Sequence, residues 1–65
     1  MEEKVKKELV VLRDECRNWE KFYADRVEET EDGEISAKYT GMSIENGRIA
    51  KKIDNMLRRL YGDNY

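Results

Sequence analysis

The 65-residue chain contains no histidine, no proline and only one cysteine, Cys16. A structural zinc site needs several cysteine or histidine ligands, and a cysteine nucleophile needs a neighbouring base such as histidine. A single cysteine also cannot close an internal disulfide. We therefore predict that the chain has no catalytic residue, no metal site and no cofactor, and that it is not an enzyme.

Long hydrophobic segments are missing as well. The longest apolar run covers residues 9–12, far short of the roughly 20 residues that cross a bilayer. The first three residues, Met-Glu-Glu, lack the basic and then apolar pattern of a signal peptide. Together with the unpaired cysteine, these features predict a cytoplasmic protein with no membrane partner.

Charge is plentiful but unevenly divided along the chain. Charged residues make up 43% of the sequence, and the net charge is −2. Residues 1–34 contain 7 basic and 12 acidic residues, whereas residues 35–65 contain 6 basic and 3 acidic residues. The two halves therefore carry opposite net charges, which lets them attract each other or present two different faces.

Apolar residues recur in both halves at alternating steps of four and three, which is the spacing of a helix that packs along one seam. The residues at this spacing in the first half are Val5, Leu9, Leu12, Cys16, Trp19 and Tyr23, continued by Arg26 and Thr30. Those in the second half are Ile35, Tyr39, Met42, Asn46, Ile49, Ile53, Met56 and Leu60. Each half is therefore predicted to form one helix.

A turn between the two helices is predicted at Asp32 and Gly33, a strong helix-breaking pair. Asp32 is suited to cap the start of the second helix, and Gly62 is suited to end it. Folding the chain at this turn aligns the two seams, so that Leu9 faces Met56.

The resulting prediction is a single all-α domain over residues 1–65, folded as an antiparallel helical hairpin. The helices are expected at about residues 2–30 and 35–61, and the turn at residues 31–34.

Two glycines leave open whether the second helix is continuous. Gly41 and Gly47 each cost it roughly 1 kcal/mol relative to alanine, and a break near residues 40–43 would give a three-helix chain. This part of the chain resembles the DNA-binding helix-turn-helix family: Ala37 and Gly41 have the family's four-residue spacing, with Gly41 in the turn. The resemblance implies that residues 44–56 form the recognition helix. The chain departs from the family at Gly47, where a branched apolar residue is expected.

One small core barely offsets the entropy cost of ordering a chain this short, and the sequence offers no disulfide or zinc site to add stability. We therefore expect a homo-oligomer in which two hairpins form a four-helix bundle. Apolar and small residues outside the predicted seams mark the expected subunit interface. They are Phe22, Ser43, Ala50, Leu57 and Tyr61.

Three sets of residues are candidate sites for other molecules, and each is also consistent with a solvated face or with helix packing. Acidic residues on the first helix are suited to a basic surface on a partner protein; they are Asp25, Glu28 and Glu29. Basic residues on the second helix are typical of a phosphate or nucleic-acid contact; they are Arg48, Lys51, Lys52, Arg58 and Arg59. Residues near the turn are suited to a flat nucleotide; they are Trp19, Tyr23, Arg26, Tyr39 and Asn46.

A small helical oligomer without catalytic groups is typical of a protein that acts by occupying another protein. We therefore predict a binding or regulatory protein, such as an inhibitor or adaptor, of the kind that phages and mobile elements often encode. Nucleic-acid binding through the basic residues and capture of a nucleotide, in the manner of a sponge, are the alternatives.

Overall fold

The computed structural model describes residues 2–65, with side chains from residue 3 onward. It consists of two helices, α1 (Glu2–Glu29) and α2 (Gly33–Tyr61), which pack against each other as an antiparallel hairpin 46 Å long. The predicted all-helical hairpin is therefore confirmed, and its helices begin and end within two residues of the predicted positions. Neither helix contains, in its described residues, a stretch long and apolar enough to cross a membrane.

The ends of α2 are fixed by local hydrogen bonds that the sequence predicts. The Asp32 carboxylate accepts hydrogen bonds from the backbone N–H groups of Glu34 and Ile35, at 2.9 and 3.2 Å. These donors have no acceptor within the helix itself. At the other end, Gly62 adopts a φ of 93°, and its N–H donates to the Arg58 carbonyl at 2.9 Å. Glycine suits this positive φ because it has no Cβ, so both predicted caps are confirmed.

Helix α2 runs without interruption through Gly41 and Gly47. The alternative of a break near residues 40–43 is therefore wrong, and so is the helix-turn-helix interpretation that depends on it. Each glycine weakens the helix by only about 1 kcal/mol, and packing against α1 holds the helix on both sides of the pair. Tyr39 stacks on a ring of α1 before the first glycine, and Ala50 is buried against α1 after the second.

Gly41 offers a way to strengthen this fold. A Cβ added there meets nothing within 4 Å, so Gly41→Ala should raise the free energy of unfolding by about 0.5–1 kcal/mol through helix propensity. Each kcal/mol corresponds to about 4–8 °C in the melting temperature of a domain this small, which circular dichroism can measure. Gly47→Ala should give a smaller gain because its new Cβ would displace the Glu20 carboxylate. An unchanged melting temperature for Gly41→Ala would contradict a continuous helix at this position.

The two helices meet through a narrow core, at close to the predicted alignment. Arg13 Nη1 of α1 lies 3.3 Å from Asp54 Oδ1 of α2. Nearer the turn, the rings of Tyr23 and Tyr39 stack with their centres 5.8 Å apart. The buried residues of the core are Cys16, Ala50, Ile53 and Leu57, and the partly buried residues packed against them are Leu9, Val10, Tyr61 and Tyr65.

On each helix, one of the two predicted seam rows stays in the core, and the other is replaced by the row one residue later. Seven residues predicted to be in the core are 38–52% exposed; they are Val5, Leu12, Trp19, Ile35, Met42, Ile49 and Met56. Leu60 is exposed as well. The neighbouring row on α2, which includes Ser43, Ala50 and Leu57, was predicted to lie at a subunit interface. It instead packs between α1 and α2 of the same chain.

Small side chains account for the rotation. Ser43 Oγ donates a hydrogen bond to the backbone carbonyl of Glu20 on α1 at 2.8 Å. A Cβ added at Gly47 would overlap the Glu20 carboxylate. Two helix backbones can approach this closely only where the side chains between them are small. The row that includes Ser43 and Ala50 therefore forms the contact between α1 and α2, and the larger apolar residues of α2 lie beside this contact.

Candidate binding face

Apolar side chains form a strip along one side of the hairpin, here termed the apolar face. It consists of two rows of residues spaced seven apart: Val5, Leu12 and Trp19 on α1, and Ile35, Met42, Ile49 and Met56 on α2. Single exposed apolar residues are ordinary on protein surfaces. A contiguous strip formed by two paired helices is instead typical of an interaction surface.

The two rows lie on the same side of the hairpin. In an antiparallel helix pair, the matching flanks of the two seams face the same way. At the turn, Arg26, which continues the α1 row, lines the same hollow as Ile35 of the α2 row. Trp19 stacks on Tyr23 with 5.6 Å between ring centres, and Tyr23 stacks in turn on Tyr39. Aromatic rings therefore bridge the two helices along this side.

A mostly charged border flanks the apolar face on both sides, and each of its residues lies three positions after a row residue or, for Glu29, after Arg26. The border on α1, here termed the acidic rim, consists of Glu8, Glu15, Phe22 and Glu29. The border on α2, here termed the basic rim, consists of Lys38, Glu45, Lys52 and Arg59. All eight side chains are exposed, so the face has an apolar centre and edges of opposite charge.

Few of the rim charges have an ion-pair partner within the hairpin. Glu29 lies 3.6 Å from Arg26, and Glu45 lies 3.9 Å from Arg48. The other charged rim residues form no ion pair within residues 3–65. Hydrated charges of this kind contribute little to the stability of the hairpin, so they can pair with a bound molecule without breaking an existing contact.

The basic residues predicted to contact phosphate form an exposed stripe on α2. Lys52 and Arg59 belong to the basic rim. Arg58 lies 3.3 Å from Asp54, and Arg48 pairs with a glutamate three residues earlier. The structure therefore brings these residues together on one helix surface, and nucleic-acid binding stays a prediction.

The acidic residues predicted to contact a partner protein lie together on α1 near the turn. Asp25, Glu28 and Glu29 are all exposed. Glu29 also belongs to the acidic rim and pairs with Arg26. Their contact with a partner protein stays a prediction.

The residues predicted to hold a nucleotide make several different contacts within the hairpin. A shallow hollow near the turn includes Arg26 and Tyr39, whereas Trp19 and Tyr23 stack on each other. The Asn46 side chain donates to a backbone carbonyl one turn earlier in α2, at 2.8 Å, so its amide hydrogen bonds within its own helix. Nucleotide capture stays a prediction as well.

The residues predicted at a subunit interface mostly serve the hairpin itself. Ser43, Ala50 and Leu57 lie between the helices. Tyr61 packs against the buried core. Phe22 remains exposed, as part of the acidic rim. The apolar face therefore replaces the predicted set as the candidate interface.

A polar cluster on the opposite flank was not predicted from the sequence. Arg13 Nη1 donates to Asp54, and the Tyr65 hydroxyl contacts both side chains. The hydrogen bond from Tyr65 holds the pKa of the Asp54 carboxyl below its usual value, and the positive charges of Arg58 and Arg13 act in the same direction. The cluster joins residues 41 and 11 positions apart, so no local pattern in the sequence identifies it. It fastens the segment after α2 to α1.

The apolar face is suited to binding a second apolar helical surface. Burial of apolar area would supply the driving force, and the oppositely charged rims would set the orientation. Within the described part of the chain, no group of three or more histidine, cysteine or acidic residues is placed to hold a metal ion. Comparisons with protein-family models, with curated proteins and with solved structures find no match to this chain.

Proposed function

We propose that this chain is a non-enzymatic binding protein whose working form is an oligomeric helical bundle closed by the apolar face. Such a protein acts through its surface, as an inhibitor or adaptor does, and does not convert a substrate in a cavity. The apolar face holds the subunits together, and the charged outer surfaces of α1 and α2 are left to contact a partner protein.

The observation that carries this proposal is the amount of surface that the hairpin leaves open. A folded monomer of 7.8 kDa is expected to expose about 4,400 Å². The hairpin exposes 5304 Å², which is an excess of roughly 900 Å² over that expectation. The excess is close to the roughly 800 Å² that each partner buries in a specific protein–protein interface.

The small core supports the same proposal. Among the described residues, four apolar side chains are buried in the core, and a single core rarely stabilises so short a chain. The apolar face holds seven further apolar residues. Burying them against a second surface would give the protein a core of ordinary size for its length.

Ile49→Lys tests the proposal because Ile49 lies near the middle of the apolar face. We expect the wild-type protein to show at least about twice the 7.8 kDa monomer mass in light scattering, and Ile49→Lys to be monomeric. The reason is that an unpaired ammonium group buried in an apolar interface costs several kcal/mol. Circular dichroism should show a lower melting temperature for the variant, because its single hairpin keeps only the small core between α1 and α2.

Ile44→Lys is the matched control. Ile44 is 61% exposed, lies on the same helix and belongs to neither the apolar face nor its rims. This variant should assemble as the wild-type protein does. Wild-type protein that stays monomeric at millimolar concentration, or equal loss of assembly in the two variants, would contradict the proposal.

A further inference from the structure

We propose that a second copy of this chain covers the apolar face, related to the first by a two-fold axis parallel to the helices. In this arrangement α1 of each copy packs against α2 of the other, and the two copies of α1 lie diagonally across the bundle. The inference rests on the proposed function, because it names the occupant of the same face and the way in which that occupant is oriented.

Two symmetric arrangements can bring the apolar faces of two hairpins together. With the axis parallel to the helices, α1 of one copy lies beside α2 of the other, and corresponding residues of the two copies lie at the same height along the bundle. With the axis across the helices, each helix lies beside its own copy, and residues near one end of a hairpin lie level with the opposite end of the other. Both arrangements bury the same apolar residues, so the rims decide between them.

The parallel axis matches opposite charges in three of the four rim pairs. Because heights are preserved, the acidic rim of one copy faces the basic rim of the other at the register of the hairpin itself. The residue numbers of each rim pair then add to 67. Residues in contact across the hairpin have the same or a similar sum, as Arg13 and Asp54 do. The rim pairs between copies are Glu8 with Arg59, Glu15 with Lys52, Glu29 with Lys38, and Phe22 with Glu45.

The axis across the helices brings like charges together instead. The acidic rim then lies beside the acidic rim of the partner, and Glu15, near the middle of α1, faces its own copy. On α2, Glu45 of one copy lies near Arg59 of the other, whereas Lys52, at the height of Glu15, faces its own copy. Like charges placed opposite each other at an interface are unfavourable and exclude wrong pairings. Charge complementarity therefore favours the parallel axis.

The dimensions of the hairpin are sufficient for a stable dimer. Its long side measures 46 by 16 Å, which corresponds to an area of roughly 700 Å² per copy, near the value for a specific interface. The occupant is therefore expected to be as long as the hairpin and to carry the same two rims in reversed positions. A second copy meets both requirements.

Cysteine cross-linking distinguishes the two arrangements. Two variants are prepared in a Cys16→Ala background, one with Glu15→Cys and one with Lys52→Cys. Both substituted side chains are exposed, and alanine favours the helix at position 16. Each variant is oxidised alone, and the two are also oxidised as an equimolar mixture after subunit exchange. The covalent dimer is measured on a non-reducing gel, and light scattering gives the mass of each sample before oxidation.

We expect a strong covalent dimer in the mixture and at least a tenfold weaker one in either variant alone. A covalent dimer of Glu15→Cys by itself would overturn the parallel axis, because it would place the two copies of α1 side by side. Samples that are dimeric by mass but give no cross-link in the mixture would overturn it too. In both cases the proposed function would stand, whereas monomeric samples in light scattering would contradict the proposed function itself.

Discussion

Leu57→Ala should unfold most of the protein at temperatures where the wild-type protein is folded. Leu57 is 0% exposed and is the largest fully buried side chain among the described residues. Leucine-to-alanine substitutions at such positions cost about 2–5 kcal/mol, because they lose apolar contact and leave a cavity. A chain of this length is expected to have a total stability of only about 3–10 kcal/mol. The single substitution therefore removes a large share of it.

Thermal unfolding followed by circular dichroism, at one fixed protein concentration, measures this effect. A loss of 2 kcal/mol or more corresponds to a melting temperature at least about 10 °C lower. Ile44→Ala is the control, since Ile44 is exposed on the same helix and should change the stability by about 0.5 kcal/mol or less. Equal effects of the two substitutions would mean that Leu57 does not lie in the core.

Ala50→Leu should destabilise the hairpin although it adds apolar surface. Ala50 is 0% exposed and lies between the helices, one turn after Gly47, where an added Cβ would overlap a side chain of α1. A leucine there has no space unless the helices move apart, and overpacking of this kind costs about 1–3 kcal/mol or more. Leucine is nearly as good a helix former as alanine, so helix propensity contributes little to the change.

Urea unfolding of Ala50→Leu, compared with that of Ala37→Leu, isolates the packing effect. Ala37 is exposed on α2, so the same substitution there should change the urea midpoint by only a few tenths of a molar unit. The urea midpoint of Ala50→Leu should fall by roughly 1 M or more, because the free energy of unfolding of a chain this short depends only weakly on urea concentration. A higher midpoint for Ala50→Leu would show that the helices leave space between them at this level.

The helices and their ends could be predicted from the sequence because local chemistry determines them. The heptad spacing is a property of each helix by itself, and Asp32 and Gly62 act on backbone groups within four residues of their own positions. The number of residues between the turn and each seam position also determines which residues of α1 and α2 lie opposite each other. Tyr23 therefore meets α2 at Tyr39, within one turn of the predicted partner.

The face that each helix presents could not be predicted in the same way. On α2 the rows containing Ile49 and Ala50 have the same seven-residue spacing and adjoin each other, so periodicity does not choose between them. Hydrophobicity favours the row of larger residues, which was the prediction. The structure places the smaller row between the helices, because Ser43 and Ala50 allow the backbones to come close. The rotation of α2 therefore depends on its contact with α1, which is distant in the sequence.

The charged rims were present in the sequence but do not by themselves indicate the rotation. Glu8 and Glu15 follow the exposed row of α1 at a constant distance, as Lys52 and Arg59 follow that of α2. Charges that border an apolar row are equally typical of a helix–helix seam, so the same pattern fits either position of the row. The basic residues were instead predicted to form one stripe on an outer surface of α2.

Because Cys16 is buried between the helices, the reactivity of its thiol measures how often the two helices separate. The thiol is buried against α2, so an alkylating reagent can reach it only while the two helices are separated. Its labelling rate is therefore set by the equilibrium between closed and open hairpins, in the same way as the exchange rate of a protected amide hydrogen. Ligands, salt or protein concentration that favour the closed form will slow the labelling. Assembly of the protein can thus be followed with no added probe group.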